Sequence, residues 1–144
     1  MQVIRLATEK DLAVLLQMDK AIFPDAWTEE MWKSELARTD ATCLLLEMDE
    51  KAVGFAVVTV LFEDAELPKI ALLPKQRGLG LGKMLLDALE MQAKTHGATA
   101  MFLEVRVGNS AARKLYETNG YEKLRVRLRY YPDGEDALEM KKTL

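Results

Sequence analysis

The chain has 144 residues, of which 49% are hydrophobic and 30% are charged, and its formal net charge is −3. This is the composition of an ordinary globular protein of one domain, without an apolar run near the ~20 residues of a membrane span and without a signal-peptide core. The negative charge argues against broad nucleic-acid binding, and a single histidine with a single cysteine disfavours a conventional zinc site. We therefore expect one domain over residues 1–144, located in the cytoplasm, with Cys43 as a buried structural thiol.

The first part of the chain predicts a strand, two short helices and a hairpin. Residues 3–7 have a strand pattern, and Thr8 begins a capping sequence for a helix with an apolar face. A turn sequence separates this helix from a second one, which Thr28 caps and whose first turn is acidic. The next two runs, 42–48 and 52–61, are apolar and β-branched, and the polar residues between them predict a hairpin.

The second part alternates strands and helices. The predicted elements are a strand at 65–72, a helix from Gly82 to His96, a strand at 100–107, a helix from Ser110 to Asn119, an alternating strand at 121–131 and a last strand at 137–140. His96, beside the helix-ending Gly97, is expected at the surface. The order β-α-α-β-β-β-α-β-α-β-β predicts an α/β domain with a mixed sheet and helices on its faces.

The most informative motif is Arg-Gly-Leu-Gly-Leu-Gly-Lys at residues 77–83, between a strand and a helix. Glycine lets main-chain N–H groups approach an anion closely, and a helix start adds free N–H donors and partial positive charge. The spacing does not match a Walker loop, because Arg77 stands where that loop needs its first glycine. Neither Gly78 nor Gly80 begins the Gly-x-Gly-x-x-Gly of a dinucleotide fingerprint. The motif predicts a pyrophosphate cradle; the alternative is a glycine-rich turn before an ordinary helix.

The pattern Arg-x-x-Gly-x-Gly resembles the acetyl-coenzyme A loop of the GNAT N-acetyltransferases. Other segments narrow the resemblance to the branch that acetylates the N-terminal alanine of ribosomal protein S18, notably Leu-Glu-Val-Arg at 103–106 and Arg-Tyr-Tyr-Pro-Asp-Gly-Glu-Asp-Ala at 129–137. The resemblance covers nearly the whole chain. It implies the GNAT fold, with a mixed, mostly antiparallel sheet and helices on both faces, and acetyl-coenzyme A as cosubstrate. Lys69 and Leu73 depart from the family pattern.

The resemblance also implies which residues contact the cofactor. Main-chain groups of the 65–72 strand would pair with the pantetheine arm as if it were a further strand, and an N–H near Leu72 would polarise the thioester carbonyl. Asn109 would contact coenzyme A as well as cap its helix. The expected cofactor-binding residues are Ile70, Ala71, Leu72, Arg77, Gly78, Leu79, Gly80, Leu81, Gly82, Lys83 and Asn109.

Glu104 and Tyr116 are the candidate catalytic residues. Glu104 lies in an apolar strand, where burial would raise the pKa of its carboxyl group toward that of a useful base. The alternative is a solvated strand glutamate that pairs with Arg106 on the same side of the strand. The resemblance implies that Tyr116 meets the coenzyme A sulfur as the acid, whereas the alternative is an aromatic packed against Leu115 and Ala112.

The acceptor is expected to be the basic N-terminal peptide of a ribosomal protein, without direct nucleic-acid or membrane contact. Six acidic residues in two predicted loops would flank the acceptor groove and favour such a peptide. They are Glu63, Asp64, Glu66, Asp133, Glu135 and Asp136. Lys69 would place an opposing cation near the groove. Trp27 and Trp32 are interpreted as anchors of the early helices, and Arg125, Arg127 and Arg129 as a solvated, charge-paired strand face.

Two other functions remain open at this point. One is a GNAT enzyme for a small amine such as a polyamine, against which the Leu-Glu-Val-Arg and Tyr-Tyr-Pro segments argue. The other is a coenzyme A-binding module without catalysis, against which the presence of both Glu104 and Tyr116 argues.

Overall fold

A computed structural model of the protein describes all residues, 1–144, and has the predicted order of seven strands and four helices. The strands are β1 (Gln2–Leu6), β2 (Ala41–Met48), β3 (Lys51–Leu61), β4 (Asp64–Leu72), β5 (Ala100–Arg106), β6 (Glu122–Arg127) and β7 (Ala137–Thr143). The helices are α1 (Leu12–Ile22), α2 (Glu29–Ala37), α3 (Leu81–Thr95) and α4 (Ser110–Thr118). None of these helices is long and apolar enough to cross a membrane.

Local sequence signals explain where several elements begin. The Thr28 hydroxyl accepts a hydrogen bond of 3.2 Å from the N–H of Met31 at the start of α2. The Asn109 side chain caps α4 in the same way, accepting from the N–H of Ala112 at 3.1 Å. Between β2 and β3, Asp49 and Glu50 both have positive φ angles, of 50° and 70°, which suits the tight turn of a hairpin.

The sheet has the strand order β1-β2-β3-β4-β5-β7-β6, and β4 and β5 are its parallel neighbours. These two strands pair only from Asp64 with Ala100 to Glu66 with Phe102, and then separate. Pro68, which has no N–H to donate, lies just beyond the last pair. The separation opens a wedge toward the carboxyl ends of β4 and β5.

Two hydrophobic cores cover the two faces of the sheet. α3 and α4 pack on one face, where Leu85, Leu89 and Tyr116 meet Leu103 and Met140 of the sheet. α1 and α2 pack on the other face over the strands β2, β3 and β4, with Trp32 and Phe55 at the centre. Side chains alternate along a strand, so Glu104 lies on the face opposite to Leu103 and Val105. The predicted mixed sheet with helices on both faces is confirmed.

The predicted strand at 121–131 is too long. β6 ends at Arg127, and its pairing with β7 is interrupted between Lys123 and Arg125. Arg129 has a φ of 51°, and its N–H donates to the carboxylate of Asp136 at 2.8 Å. This turn ends the strand, so Arg129 does not continue the row formed by Arg125 and Arg127.

Candidate functional site

The main cavity is the wedge between β4 and β5, which we call the β4–β5 cleft, with a volume of about 1210 Å³. Its walls are the loop between α1 and α2, the glycine-rich segment 77–83 and the chain after β6. Most of the predicted site residues line it, including Glu104, Asn109 and Tyr116. Leu79 and Leu81 do not: Leu79 is exposed and Leu81 is buried in the core, so only their main-chain groups are available.

The main chain of β4 presents hydrogen-bonding groups to the cleft. The N–H of Leu73 donates to the carbonyl of Val53 in β3 at 2.8 Å, so Leu73 faces β3. Main-chain groups alternate along a strand, and Ala71, opposite Phe55, therefore also faces β3, whereas Ile70 and Leu72 face the cleft. Of the three residues expected to pair with an extended ligand, Ile70 has its N–H and C=O free for it and Leu72 has its N–H free, because the Leu72 carbonyl accepts from Arg77 Nε.

The glycines of the segment 77–83 have two different roles. Gly78 and Gly80 have φ angles of 81° and 80°, which other residues rarely adopt, and a Cβ there would meet no atom within 4 Å. They therefore shape an open turn, and Gly80 leaves the first N–H groups of α3 uncovered. A Cβ on Gly82 would instead enter the cleft, 3.5 Å from Leu115 Cδ2 and 3.8 Å from Leu72 Cδ1. The open turn and the free helix start fit a pyrophosphate group.

Two cations flank this turn. The Arg77 Nε donates to the carbonyl of Leu72 at 3.2 Å, which fixes the guanidinium beside the end of β4. Lys83 forms an exposed ion pair of 2.7 Å with Asp87, one turn further along α3. Each side chain donates only one hydrogen bond within the protein, so both keep N–H donors free for an anionic ligand.

Tyr116 is at the inner end of the cleft on the face of α3 and α4. Its side chain is buried and packs edge-on against Tyr121, with 5.6 Å between ring centroids. Burial raises the pKa of the Tyr116 hydroxyl well above its ordinary value, so the group stays protonated and can donate. Tyr116 is therefore both a packed aromatic residue and a potential proton donor.

Glu104 is on the opposite face of the sheet, with a side chain that is 32% exposed. Burial is the main cause that raises the pKa of its carboxyl group, while the nearby Arg127 lowers it. Arg127 Nε lies 3.6 Å from Glu104 Oε1. The alternative pairing with Arg106 is wrong, because Arg106 is bonded elsewhere.

Arg106 instead connects the two loops that border the cleft. It donates to Asp133 at 2.8 Å and to Glu135 at 3.0 Å, both in the turn before β7. Its Nη2 lies 3.7 Å from Asp25 Oδ2 in the loop after α1. The guanidinium lies over the ring of Tyr131, with 4.1 Å between Cζ and the ring centroid. A single guanidinium balances only part of the charge of these three carboxylates, so the predicted role of Asp133 and Glu135 in attracting a basic peptide stays a prediction.

Lys69 is not a free cation. It forms a buried ion pair of 2.7 Å with Asp19 of α1, whose side chain has no solvent exposure. Its ammonium group also lies 4.6 Å from the ring centroid of Phe23 and 5.0 Å from that of Trp27. The expectation that Lys69 opposes a basic ligand is wrong, because its charge is balanced inside the protein.

Asp19 organises the loop at residues 23–27, between α1 and α2. Besides Lys69, it accepts hydrogen bonds of 2.9 Å from the N–H of Trp27 and from the indole N–H of Trp32. Trp32 is fully buried and Trp27 packs against it, as expected of anchors. Sequence reasoning missed Asp19, although it stands at helical spacing from Leu12, Leu15 and Leu16 on the apolar face of α1.

Two acidic groups of the cleft, both on β4, form no ion pair, whereas Glu104 on β5 has Arg127 Nε 3.6 Å from its carboxylate. Asp64 and Glu66 belong to β4 rather than to a loop, and with Glu104 they line the cleft. Glu139 also lines it, but both Arg125 and Arg127 bond to its carboxylate at 2.9 Å. For these two arginines the expected charge-paired strand face is confirmed.

Cys43 and His96 lie away from the cleft. Cys43 is buried in the sheet, and burial raises the pKa of its thiol to about 12, which agrees with a structural thiol. His96 is exposed at the end of α3, where its Nδ1 is 2.8 Å from the carbonyl of Gln92.

Comparisons with known proteins place these observations in a family. The model of the acetyltransferase (GNAT) family matches residues 12–121. The ribosomal protein bS18-alanine N-acetyltransferase of Salmonella typhimurium is 32% identical over 143 residues, covering 97% of this chain and 96% of that protein. The enzyme of the same name from Haemophilus influenzae is 40% identical over 96 residues, which cover 67% of this chain and 65% of that protein. The crystal structure of the Escherichia coli ribosomal-protein-S18-alanine N-acetyltransferase superposes with a TM-score of 0.92 at 31% identity, covering 99% and 94% of the two chains.

Proposed function

The chain belongs to the acetyltransferase (GNAT) family, and on that premise we propose that it transfers an acetyl group from acetyl-coenzyme A to the α-amine of the N-terminal alanine of ribosomal protein S18. The observation that carries the chemistry is the β4–β5 cleft, which has Tyr116 on one face of the sheet and Glu104 on the other. A thioester and an amine can therefore enter from opposite sides and meet where the strands separate. The names of the relatives from Salmonella typhimurium and Haemophilus influenzae support the choice of acceptor.

The coenzyme-binding side of the cleft is formed by β4, the segment 77–83 and the start of α4. The N–H groups at Gly78 to Lys83 would hold the pyrophosphate, and the free main-chain groups of Ile70 and Leu72 would hold the pantetheine arm. Acetyl-coenzyme A supplies the activated acetyl group as a thioester. The N–H of Leu72, with no partner in β3, is the candidate donor to an oxygen that gains negative charge in the reaction.

Glu104 would receive the proton that the α-amine must lose before it can attack. An α-amine has a pKa of ~7.7–8.0, against ~10.4 for a lysine side chain, so a carboxylate of moderately raised pKa is a sufficient base for an N-terminus. The Tyr116 hydroxyl, held protonated by burial, would donate its hydrogen to the departing sulfur. The two proton transfers would then take place on opposite faces of the sheet.

The charges in the cleft support a basic peptide as acceptor. Asp64, Glu66 and Glu104 contribute negative charge, and Lys69, which lies on the same strand as Asp64 and Glu66, is neutralised by Asp19. The loop at residues 23–27 and the turn that contains Tyr131 both contact Arg106, and they would border the groove that the peptide enters. A ribosomal protein as acceptor would place the enzyme in the cytoplasm.

The proposal is tested with acetyl-coenzyme A and three acceptors: the S18 N-terminal peptide, the same peptide with a blocked α-amine, and spermidine. Mass spectrometry of the products locates the acetyl group. We expect acetylation of the free N-terminus only. Acetylation of lysine in the blocked peptide, or a preference for spermidine, would favour a GNAT enzyme for another amine. Absence of thiol release with every acceptor would instead favour a coenzyme A-binding module.

A further inference from the structure

We propose that Arg127 of β6 is the positioning residue that keeps Glu104 ionised, by acting as its counter-ion across β7. The counter-ion role rests on the position of Arg127 beside the Glu104 carboxylate, whereas its importance for turnover rests on the proposed function of Glu104 as the base. The hydrogen bond and ion pairs of Arg127 are with Glu139 and Glu104, neither of which is a predicted cofactor-binding residue, and its role is distinct from that of the neighbouring Arg125.

The geometry fixes Arg127 beside the carboxylate. Its Nη2 donates to Glu139 Oε2 at 2.9 Å, which anchors the guanidinium to β7. Its Nε is buried and has no hydrogen-bond partner, and it lies 3.6 Å from Glu104 Oε1. An unpartnered buried donor is unfavourable unless a negative group is near, so the position of Nε is explained by the charge on Glu104.

The other charged and titratable groups that face Glu104 act mainly in the opposite direction. Glu66 on β4 and Glu139 on β7 carry like charge, and burial also disfavours the carboxylate. Tyr130 and Tyr131, which follow β6, are neutral at ordinary pH, and burial raises the pKa of both hydroxyls further above that range. The cations are Arg127 and the more distant Arg125, of which Arg127 has the larger influence. Arg127 therefore opposes burial and two like charges.

Removing this cation should shift the protonation of Glu104 in a defined direction. Without Arg127, the pKa of the Glu104 carboxyl rises further, because burial and the charges of Glu66 and Glu139 remain. The base is then protonated up to a higher pH. An opposite charge at this range typically lowers a carboxyl pKa by ~1–3. Because the Arg127 side chain is partly exposed, we expect an upward shift of about one pH unit, at the low end of that range.

The direct measurement is the titration midpoint of the Glu104 carboxyl carbon by NMR in the ligand-free protein. Arg127→Gln should raise this midpoint by about one pH unit at low salt, and Arg127→Lys should restore most of the wild-type value. The matched control is Arg125→Gln, which also removes a cation from Glu139 but leaves the nearest cation of Glu104 in place. Thermal unfolding of each variant verifies that it is folded.

Two outcomes would overturn the counter-ion role: a Glu104 midpoint that Arg127→Gln leaves unchanged, or an equal shift in Arg125→Gln. The acidic limb of the profile of kcat/KM against pH, measured with the S18 peptide and divided by the fraction of peptide whose α-amine is unprotonated, separates this inference from the proposed function. If the NMR midpoint and the limb move together, both stand. If the midpoint moves and the limb does not, Arg127 remains the counter-ion and Glu104 is not the base.

Discussion

Replacement of Lys69 by methionine tests how strongly the buried ion pair stabilises the protein. Lys69 Nζ lies 2.7 Å from Asp19 Oδ1, and the Asp19 side chain is completely buried. The attraction between unit charges at this distance is about 6 kcal/mol at an effective dielectric constant of about 20. The substitution also removes an ammonium group whose burial is unfavourable. The expected net loss in the free energy of unfolding is therefore about 3–5 kcal/mol, or a decrease in Tm of about 9–15 °C.

Urea unfolding at constant m-value measures this loss. The control is Lys33→Met, which removes a lysine from an exposed pair with Glu29 and should cost less than about 0.5 kcal/mol. Adding Asp19→Asn to the Lys69 variant should recover part of the stability, because asparagine can still accept from the two tryptophan N–H groups without leaving a buried charge. A Lys69→Met protein that loses no more than the Lys33 control would refute the reasoning.

Three further predictions concern the cleft and the thiol. Gly82→Val should weaken coenzyme A binding at least about tenfold in calorimetry, because the added side chain enters the cleft beside Leu115 without a strained φ; unchanged affinity in a folded variant would locate the cradle elsewhere. Tyr116→Phe should lower kcat, by less if the hydroxyl only orients the sulfur, and should leave the alkaline side of the pH profile as in the wild type, because the wild-type Tyr116 hydroxyl has a raised pKa and stays protonated throughout the assay range; a wild-type kcat in the variant would remove Tyr116 from the mechanism. Cys43 should resist alkylation at pH 8 in the native protein and react after unfolding, since its thiol pKa is about 12; rapid native labelling with loss of activity would contradict a structural role.

Local signals in the sequence were sufficient to predict the order of the strands and helices. Thr28 and Asn109 cap the helices that they were predicted to cap, and the Asp49-Glu50 turn closes the predicted hairpin. Each of these interactions spans only a few residues, so the physical cause is visible in the sequence itself. The end of β6 was not predictable in this way, because Arg129 turns the chain through a bond to Asp136 that alternation does not reveal.

The electrostatic partners in the site could not be derived from the sequence, because they join distant elements. Lys69 is 50 residues from Asp19, and Arg106 is 27 residues from Asp133. Both pairings changed the expected charge of the groove, one by neutralising a cation and the other by compensating part of the charge of the acids. The residues that line the cleft were more predictable, because the glycine segment and the Glu104 strand carry recognisable motifs, whereas their assigned roles remain predictions.

The most direct test of the central claim, that Glu104 is the base of an N-terminal acetyltransferase, is the turnover of Glu104→Gln with acetyl-coenzyme A and the S18 N-terminal peptide. The variant keeps the shape of the side chain and removes its ability to accept a proton. The account predicts a decrease in kcat of about 10²–10⁴-fold at neutral pH, with nearly unchanged affinity for coenzyme A. Wild-type turnover in the folded variant would contradict it and remove Glu104 from the mechanism.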